Sequence, residues 1–118
     1  PNIYWDYNAW EVRVDAQPYL NMLSDLLKTN PSLKVEIRSH CDSRGSHGFN
    51  RALSKKRAKS AMTYLISNGI ERNRLTSKGI GENEILNNCI DGVTCFEEQH
   101  QVNRRSEFIV TDKSGNNK

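Results

Sequence analysis

The chain has 118 residues, which is enough for one hydrophobic core but not for two. An apolar fraction of 36% and a charged fraction of 26% predict a folded soluble domain and exclude a disordered chain. The net charge is +3, from 17 Lys and Arg against 14 Asp and Glu that are interspersed, which is too weak and too mixed to indicate nucleic acid binding. No apolar run approaches the roughly 20 residues that span a bilayer. Any membrane attachment is therefore expected from a segment upstream of Pro1.

The first third of the chain predicts a strand, a helix and a second strand. Residues 2–5 form a short aromatic and β-branched run, which is typical of a strand. Asp15 is placed to cap a helix that Asn30 and Pro31 end. Residues 33–39 then alternate apolar and polar side chains, as a strand with one buried face does. The apolar stripe of the helix is predicted to comprise Tyr19, Leu20, Leu23, Leu26 and Leu27.

The remainder predicts a second helix over residues 48–66, whose exit is marked by Asn68 and Gly69. Its buried stripe is predicted to comprise Leu53, Ala58, Ala61, Tyr64 and Leu65. A single turn is expected over 71–74, strands over 75–80 and 106–111, and a loop between these two strands. This order predicts an α/β fold, a two-layer sandwich in which a mixed four-stranded sheet packs against two main helices. We expect one domain over residues 1–112 and a polar tail over 113–118.

The sequence SHCDSRGS, residues 39–46, concentrates reactive side chains at the end of the second predicted strand. A nucleophile with its base is disfavoured, because His40 and Cys41 are adjacent and adjacent residues of a strand point to opposite faces. His47 and His100 cannot be placed beside Cys41 from the sequence. A metal site is disfavoured too, because the spacing of His40, Cys41, Asp42 and His47 matches no zinc pattern.

The third interpretation of residues 39–46 is a ligand-binding crevice. Asn50 and Arg57 are seven residues apart on the predicted second helix and therefore lie on nearly one line, with Leu53 between them. A carboxylate at the end of a strand, Asp42, and the guanidinium of Arg57 can then border one crevice, where open α/β sheets commonly bind ligands. The alternative is that Asp42 and Arg57 simply form a structural salt bridge.

Two more cysteines, Cys89 and Cys95, lie close together in a stretch rich in turn residues. They could form a disulfide, contribute half of a metal site, or be near each other by coincidence. The absence of a second Cys or His pair at zinc spacing counts against metal, so the disulfide is favoured, and it would indicate an oxidising compartment.

The run SHCDSRGSHGFNRALSKKRAKSAMTYLISNGI resembles the peptidoglycan-binding signature of the OmpA-like C-terminal domain family. That pattern reads Gly-His-Thr-Asp, Arg-Gly, then Asn-x-x-Leu-Ser-x-x-Arg-Ala. IYWDYN, RLTSKGIGE and NRRSEF are similar to further family segments, so the resemblance extends over residues 3–110. CIDGVTCFEEQHQVNRR resembles a branch of the family with a cysteine-bounded loop before Asn-Arg-Arg, which strengthens the Cys89–Cys95 interpretation. Ser39 and Cys41 depart from the family's Gly and Thr.

The resemblance implies non-covalent binding of the peptidoglycan stem peptide, with no reaction, no cofactor and no metal. Asp42 and Arg57 match the pair that grips diaminopimelate in the family, and Asn50, Asn8 and Arg104 match further pocket positions. The implied role is to tether the outer membrane to the wall from its periplasmic side in a Gram-negative cell. The alternatives are an interaction domain of the same fold that has lost wall binding, and a thiol-dependent enzyme that would need a reactive Cys41.

Overall fold

The computed structural model describes residues 2–42, 44, 46–81 and 95–112. Within these ranges the helices are α1 (Gln17–Thr29), α2 (His47–Ser67) and α3 (Glu97–Gln101). The strands are β1 (Ile3–Tyr4), β2 (Lys34–His40), β3 (Leu75–Gly81) and β4 (Arg105–Thr111). Short 3-10 turns at Val14–Ala16 and Arg72–Arg74 lead into α1 and β3.

The four strands form one mixed sheet in the order β1-β4-β2-β3. β2 and β3 are parallel and connected through α2, whereas β4 runs antiparallel to both β1 and β2. The predicted two-layer α/β sandwich is therefore confirmed. Its core lies between the helices and one face of the sheet, where Trp5, Leu20, Ile37 and Leu65 are fully buried. The order makes β3 an edge strand of the described sheet, and it brings the ends of β2 and β3 together beside the start of α2.

The start of α1 differs from the prediction. Asp15 does not cap the helix; it lies within the 3-10 turn and accepts a hydrogen bond from Arg13 at 2.8 Å. The cap position is Ala16, because the 3-10 turn runs directly into α1 and the N–H of Gln17 already bonds the carbonyl of Val14. Leu26 is also 44% exposed, since the helix buries a narrower stripe of Leu20, Leu23, Ser24 and Leu27.

α2 begins and ends almost where the sequence indicates. The Ser46 hydroxyl caps it by accepting a hydrogen bond from the N–H of Phe49 at 3.1 Å. At the other end Gly69 has φ of +98°, the left-handed conformation predicted for this exit. The helix lies very close to β3, because a Cβ built on Gly79 would be 2.5 Å from the Lys55 Cγ and 2.6 Å from its backbone nitrogen. Only glycine fits at that position without a shift of α2 or β3.

Some of the sequence predictions concern the C-terminal third of the chain. Helix α3 was not predicted, because five residues are too few to show a helical period. Cys89 and the tail 113–118 lie outside the described residues, so the Cys89–Cys95 bridge and the domain boundary at 112 stay predictions. In the described part of the chain, no helix has the length and apolar character needed to cross a membrane. The same ranges contain no cluster of three or more His, Cys, Asp or Glu that could hold a metal ion.

Candidate binding site

A small pocket of about 10 Å³ lies where the C-terminal end of β2 meets the first half of α2. It contains all five residues that the sequence nominated as ligand contacts. The lining residues are Tyr7, Asn8, Cys41, Asp42, Arg44, Asn50, Leu53, Arg57 and Arg104. Residues from four separate segments of the chain therefore converge here: Asp42, Asn50 and Arg57, which the loop and helix indicated, and Asn8 and Arg104, which the resemblance added.

Arg57 is fully buried, yet its bonds go to neutral groups. Its Nε donates to the carbonyl of Ala9 at 2.7 Å and its Nη2 donates to the carbonyl of Asp6 at 2.8 Å. Its Nη1 lies 3.3 Å from the carbonyl of His40 and 3.5 Å from the sulfur of Cys41. No carboxylate in the described ranges lies within 4.0 Å of this guanidinium. Burial accordingly lowers the pKa of Arg57 below its ordinary value, although an arginine remains charged.

Asp42 is almost as deeply buried, and its cationic partners are Arg44 and Arg104. Its Oδ2 accepts hydrogen bonds from Arg44 Nη2 at 2.9 Å and from Arg104 Nη1 at 3.0 Å. Burial by itself would raise the pKa of this carboxyl, but the hydrogen bonds from the two arginines outweigh burial and lower the pKa below its ordinary value. The alternative of an Asp42–Arg57 salt bridge is therefore wrong for this structure: the two charges line one pocket without pairing.

Arg104 links three parts of the fold around the pocket. Its Nε donates to the carbonyl of Trp5 at 2.7 Å, just after β1. Its Nη2 donates to Gln101 at 2.8 Å and to Glu97, both on α3. With its side chain 3% exposed, Arg104 serves as a brace that orients Asp42 and also lines the pocket.

Cys41 and Asn50 hold the loop against α2. The thiol of Cys41 donates to the backbone carbonyl of Asn50 at 3.1 Å, and the Asn50 side chain donates to the backbone carbonyl of Asp42 at 3.4 Å. The N–H of Cys41 also donates to the carbonyl of Gly81 at 2.8 Å. Cys41 is buried, and these bonds make it a brace between the loop, α2 and the end of β3.

Tyr7, Asn8 and Arg44 also line the pocket. Asn8, in the segment after β1, adopts a left-handed backbone with φ of +56°. The guanidinium of Arg44 lies 4.0 Å from the centre of the Tyr7 ring, a cation–π contact. Sequence reasoning missed both Tyr7 and Arg44. Arg44 had one available signal, since it is the cation nearest to Asp42 in the chain.

The imidazole of His40 is engaged elsewhere. Its Nε2 lies 2.9 Å from Glu107 Oε1 on the neighbouring strand β4. The thiol of Cys41 instead contacts Asn50 and Arg57. The described contacts therefore give no support to a thiol with a histidine base.

These features define an α/β domain with an ionic pocket at the end of a parallel strand pair. The OmpA family model matches residues 4–93, so the chain belongs to the OmpA family. It is 34% identical over 110 residues to photosystem I P700 chlorophyll a apoprotein A2 of Gloeobacter violaceus, covering 92% of this chain but 13% of that protein. It is 31% identical over 108 residues to the peptidoglycan-associated lipoprotein of Rhizobium meliloti, covering 92% of this chain and 58% of the lipoprotein's length.

The fold also matches a solved structure. The peptidoglycan-associated lipoprotein from Burkholderia pseudomallei superposes with a TM-score of 0.84 at 23% identity, covering 93% of this chain and 89% of that one. At this identity the likeness establishes the fold alone.

Proposed function

We propose that this domain binds peptidoglycan non-covalently and anchors the protein that carries it to the cell wall. Family membership supports this function, as does similarity to lipoproteins that are named for their association with peptidoglycan. The proposal involves no chemical reaction, cofactor or metal. The domain would act on the periplasmic side of a Gram-negative outer membrane.

The observation that carries the proposal is the arrangement of Asp42 and Arg57 in one pocket. A buried guanidinium without a carboxylate partner is costly, and a ligand carboxylate would relieve that cost. The four contacts of Arg57 also leave one of its five N–H groups available. Diaminopimelate fits this chemistry, because it carries an ammonium and a carboxylate on one carbon, which Asp42 and Arg57 can bind together.

Ligand binding requires the pocket to open, because about 10 Å³ cannot hold an amino acid head group. Arg44 is the group that can move, since its side chain is 32% exposed whereas that of Asp42 is 4% exposed. The ammonium of the stem peptide would replace the Arg44 guanidinium on Asp42. Asn50, Asn8 and Arg104 would then contact the ligand or hold the pocket around it.

The direct test is titration of the domain with a diaminopimelate-containing stem peptide, with sedimentation on purified sacculi as a second assay. Asp42→Ala and Arg57→Ala should each weaken binding by about 2 to 5 kcal/mol, because the matching ammonium or carboxylate of the ligand would then be buried without its partner. Lys56→Ala removes an exposed cation that stacks over Trp10, outside the pocket, and serves as the control. Equal binding by the wild type and both pocket variants would refute the site.

A stem peptide in which lysine replaces diaminopimelate separates two claims: that the domain binds the wall, and that it recognises diaminopimelate. It lacks the second ammonium–carboxylate centre but keeps the rest of the stem. Equal affinity for the two peptides would refute diaminopimelate as the recognised group while leaving wall binding intact.

The Cys89–Cys95 disulfide is part of the same proposal, since the periplasm is an oxidising compartment. Thiol labelling of the unfolded protein should detect one thiol without reductant and three with it, because Cys41 is free. Three reactive thiols without reductant would contradict the bridge.

An interaction domain that has lost wall binding is the second candidate. It is favoured by one observation, the satisfaction of Asp42 within the protein by Arg44 and Arg104. Failure to sediment with sacculi, combined with loss of folding in Asp42→Ala, would select it.

A further inference from the structure

A second and larger cavity lies on another side of α2, away from the ionic pocket. This groove, between α2 and the edge strand β3, has a volume of about 530 Å³. Asn50, Leu53 and Arg57 of α2 face the ionic pocket, whereas a different stripe of the helix faces the groove. The groove is lined by Lys55, Lys59, Met62, Thr63, Ile66, Arg72, Ser77, Lys78, Gly79 and Ile80.

Among the described residues, the groove carries positive charge without matching negative charge. Lys55, Lys59 and Arg72 are exposed, and no carboxylate in the described ranges lies within 4.0 Å of any of them. The fourth cation, Lys78, has a weak contact to Glu36 at 3.7 Å. All 21 residues of α2 are free of Asp and Glu. Charge complementarity therefore selects an anionic occupant.

The floor of the groove is apolar. Met62, Ile66 and Ile80 line it and are partly buried, so they offer contact surface to an apolar side chain. From Lys55 to Ile66 the groove follows α2 for about 16 Å, which is the length of about five extended residues. The cations are spaced along this length instead of surrounding one point, as a single head group would require.

The opposite wall of the groove is the edge of the sheet. Among the described strands β3 pairs only with β2, so its other edge has backbone N–H and carbonyl groups available for an added strand. A groove between a helix and an edge strand is a geometry in which extended peptides bind by strand addition. A second copy of this chain is a poor occupant, because pairing two β3 edges would bring the two sets of cations together.

We propose that this groove binds an extended acidic peptide segment of a partner protein, which adds as a strand beside β3. Alternate side chains of the peptide would contact the Met62 and Ile66 floor. Its carboxylates would pair with Lys55 and Lys59 along the helix and with Arg72 at the end of the groove. Wall binding and peptide binding would then use different faces of α2, so one domain could hold both.

The test uses the whole chain and a fluorescein-labelled heptapeptide with aspartate at positions 2 and 6, valine at position 4 and threonine elsewhere, so that the acidic and apolar side chains share one face of the added strand. Saturable binding is expected, and Lys55→Glu and Arg72→Glu should each weaken it by about tenfold or more because a paired charge becomes a repelling one. Lys56→Glu is the matched control: it makes the same charge change on the adjacent exposed residue, which stacks over Trp10. This control should bind as the wild type does, and a heptapeptide with lysine in place of aspartate should not bind.

Amide hydrogen exchange distinguishes strand addition from electrostatic attraction alone, which would not protect the backbone amides of β3. Strand addition should slow exchange at alternate residues of β3 when the peptide is bound. The proposal is overturned by an absence of peptide binding at millimolar concentration, by equal losses in Lys55→Glu and Lys56→Glu, or by unchanged exchange in β3. Binding to phosphatidylglycerol vesicles that requires Lys55, without peptide binding, would assign the groove to a lipid surface and also overturn it. Lys55→Glu should still sediment with sacculi, which keeps this result separate from the test of wall binding.

Discussion

Arg44 donates three hydrogen bonds to Asp42: its backbone N–H lies 3.0 Å from Oδ1, and its Nε and Nη2 lie 3.3 Å and 2.9 Å from Oδ1 and Oδ2. The same guanidinium stacks on Tyr7 and reaches Glu97 at 3.2 Å. The loop that carries the buried Asp42 carboxylate thus also carries Arg44, the cation that pairs with it. Under the proposed function, Arg44 competes with the ligand.

Arg44→Ala should therefore raise the affinity for the stem peptide. An ion pair with one partner about a third exposed is worth roughly 1 kcal/mol or less, so its loss should tighten binding by up to about fivefold. Isothermal titration of wild type and variant measures this change. Weaker binding would show that Arg44 contacts the ligand instead of competing with it.

The thiol of Cys41 should contribute to stability as a hydrogen-bond donor. Cys41→Val keeps a small side chain but removes the thiol that donates to the Asn50 carbonyl, so the free energy of unfolding should fall by about 1 kcal/mol. Cys41→Thr restores a donor and should be the more stable of the two variants. Urea denaturation of the three proteins tests this order, and equal stability of the Val and Thr variants would contradict it.

Acid should destabilise the domain partly through Asp42. Because the folded state lowers the pKa of Asp42 below its ordinary value of 3.8, the carboxylate contributes stability that is complete above that value. This contribution is lost as the pH falls through the lower folded pKa. Between pH 6 and pH 2, unfolding free energies should fall more steeply for the wild type than for Asp42→Asn. Parallel curves would exclude Asp42 as a source of the acid sensitivity.

The close approach of α2 to β3 should make Gly79 intolerant of any side chain. Gly79→Ala places a Cβ against Lys55 and Ser54 and should cost about 1 to 3 kcal/mol, as overpacking does. Gly48→Ala is the matched control, because nothing lies within 4 Å of its added Cβ and alanine favours a helix. Thermal unfolding should show a lower Tm for the first variant and an equal or higher Tm for the second.

Periodicity and turn residues predicted most of the fold. The alternation before Ser39 and the Asn68-Gly69 exit are local signals, and both gave element boundaries within a residue of those observed. The prediction that Asp15 caps α1 was wrong because a 3-10 turn leads directly into the helix. The Val14 carbonyl of that turn accepts the N–H of Gln17, so no side-chain cap is needed there. Helix α3 had no periodic signal because it is too short.

The sequence predicted five of the residues that line the pocket, missed Tyr7 and Arg44, and did not predict the hydrogen bonds that hold them. The seven-residue spacing placed Asn50 and Arg57 on one face of α2, which the structure confirms, since both are buried and line the pocket. The partners of Arg57 could not be foreseen, because they are backbone carbonyls of the loop after β1, 48 and 51 residues away along the chain. Arg104 likewise reaches Asp42 across 62 residues, a pairing that only the sheet order creates.

The hold of Arg57 on the loop after β1 has a consequence for how this family member can change. Because Arg57 donates to the backbone carbonyls of Asp6 and Ala9, these two hydrogen bonds depend on the path of the backbone and not on the side chains of the two residues. Substitutions at Asp6 and Ala9 therefore keep both backbone acceptors of the guanidinium. The side chains of this loop can therefore vary while the charge at the centre of the pocket stays anchored.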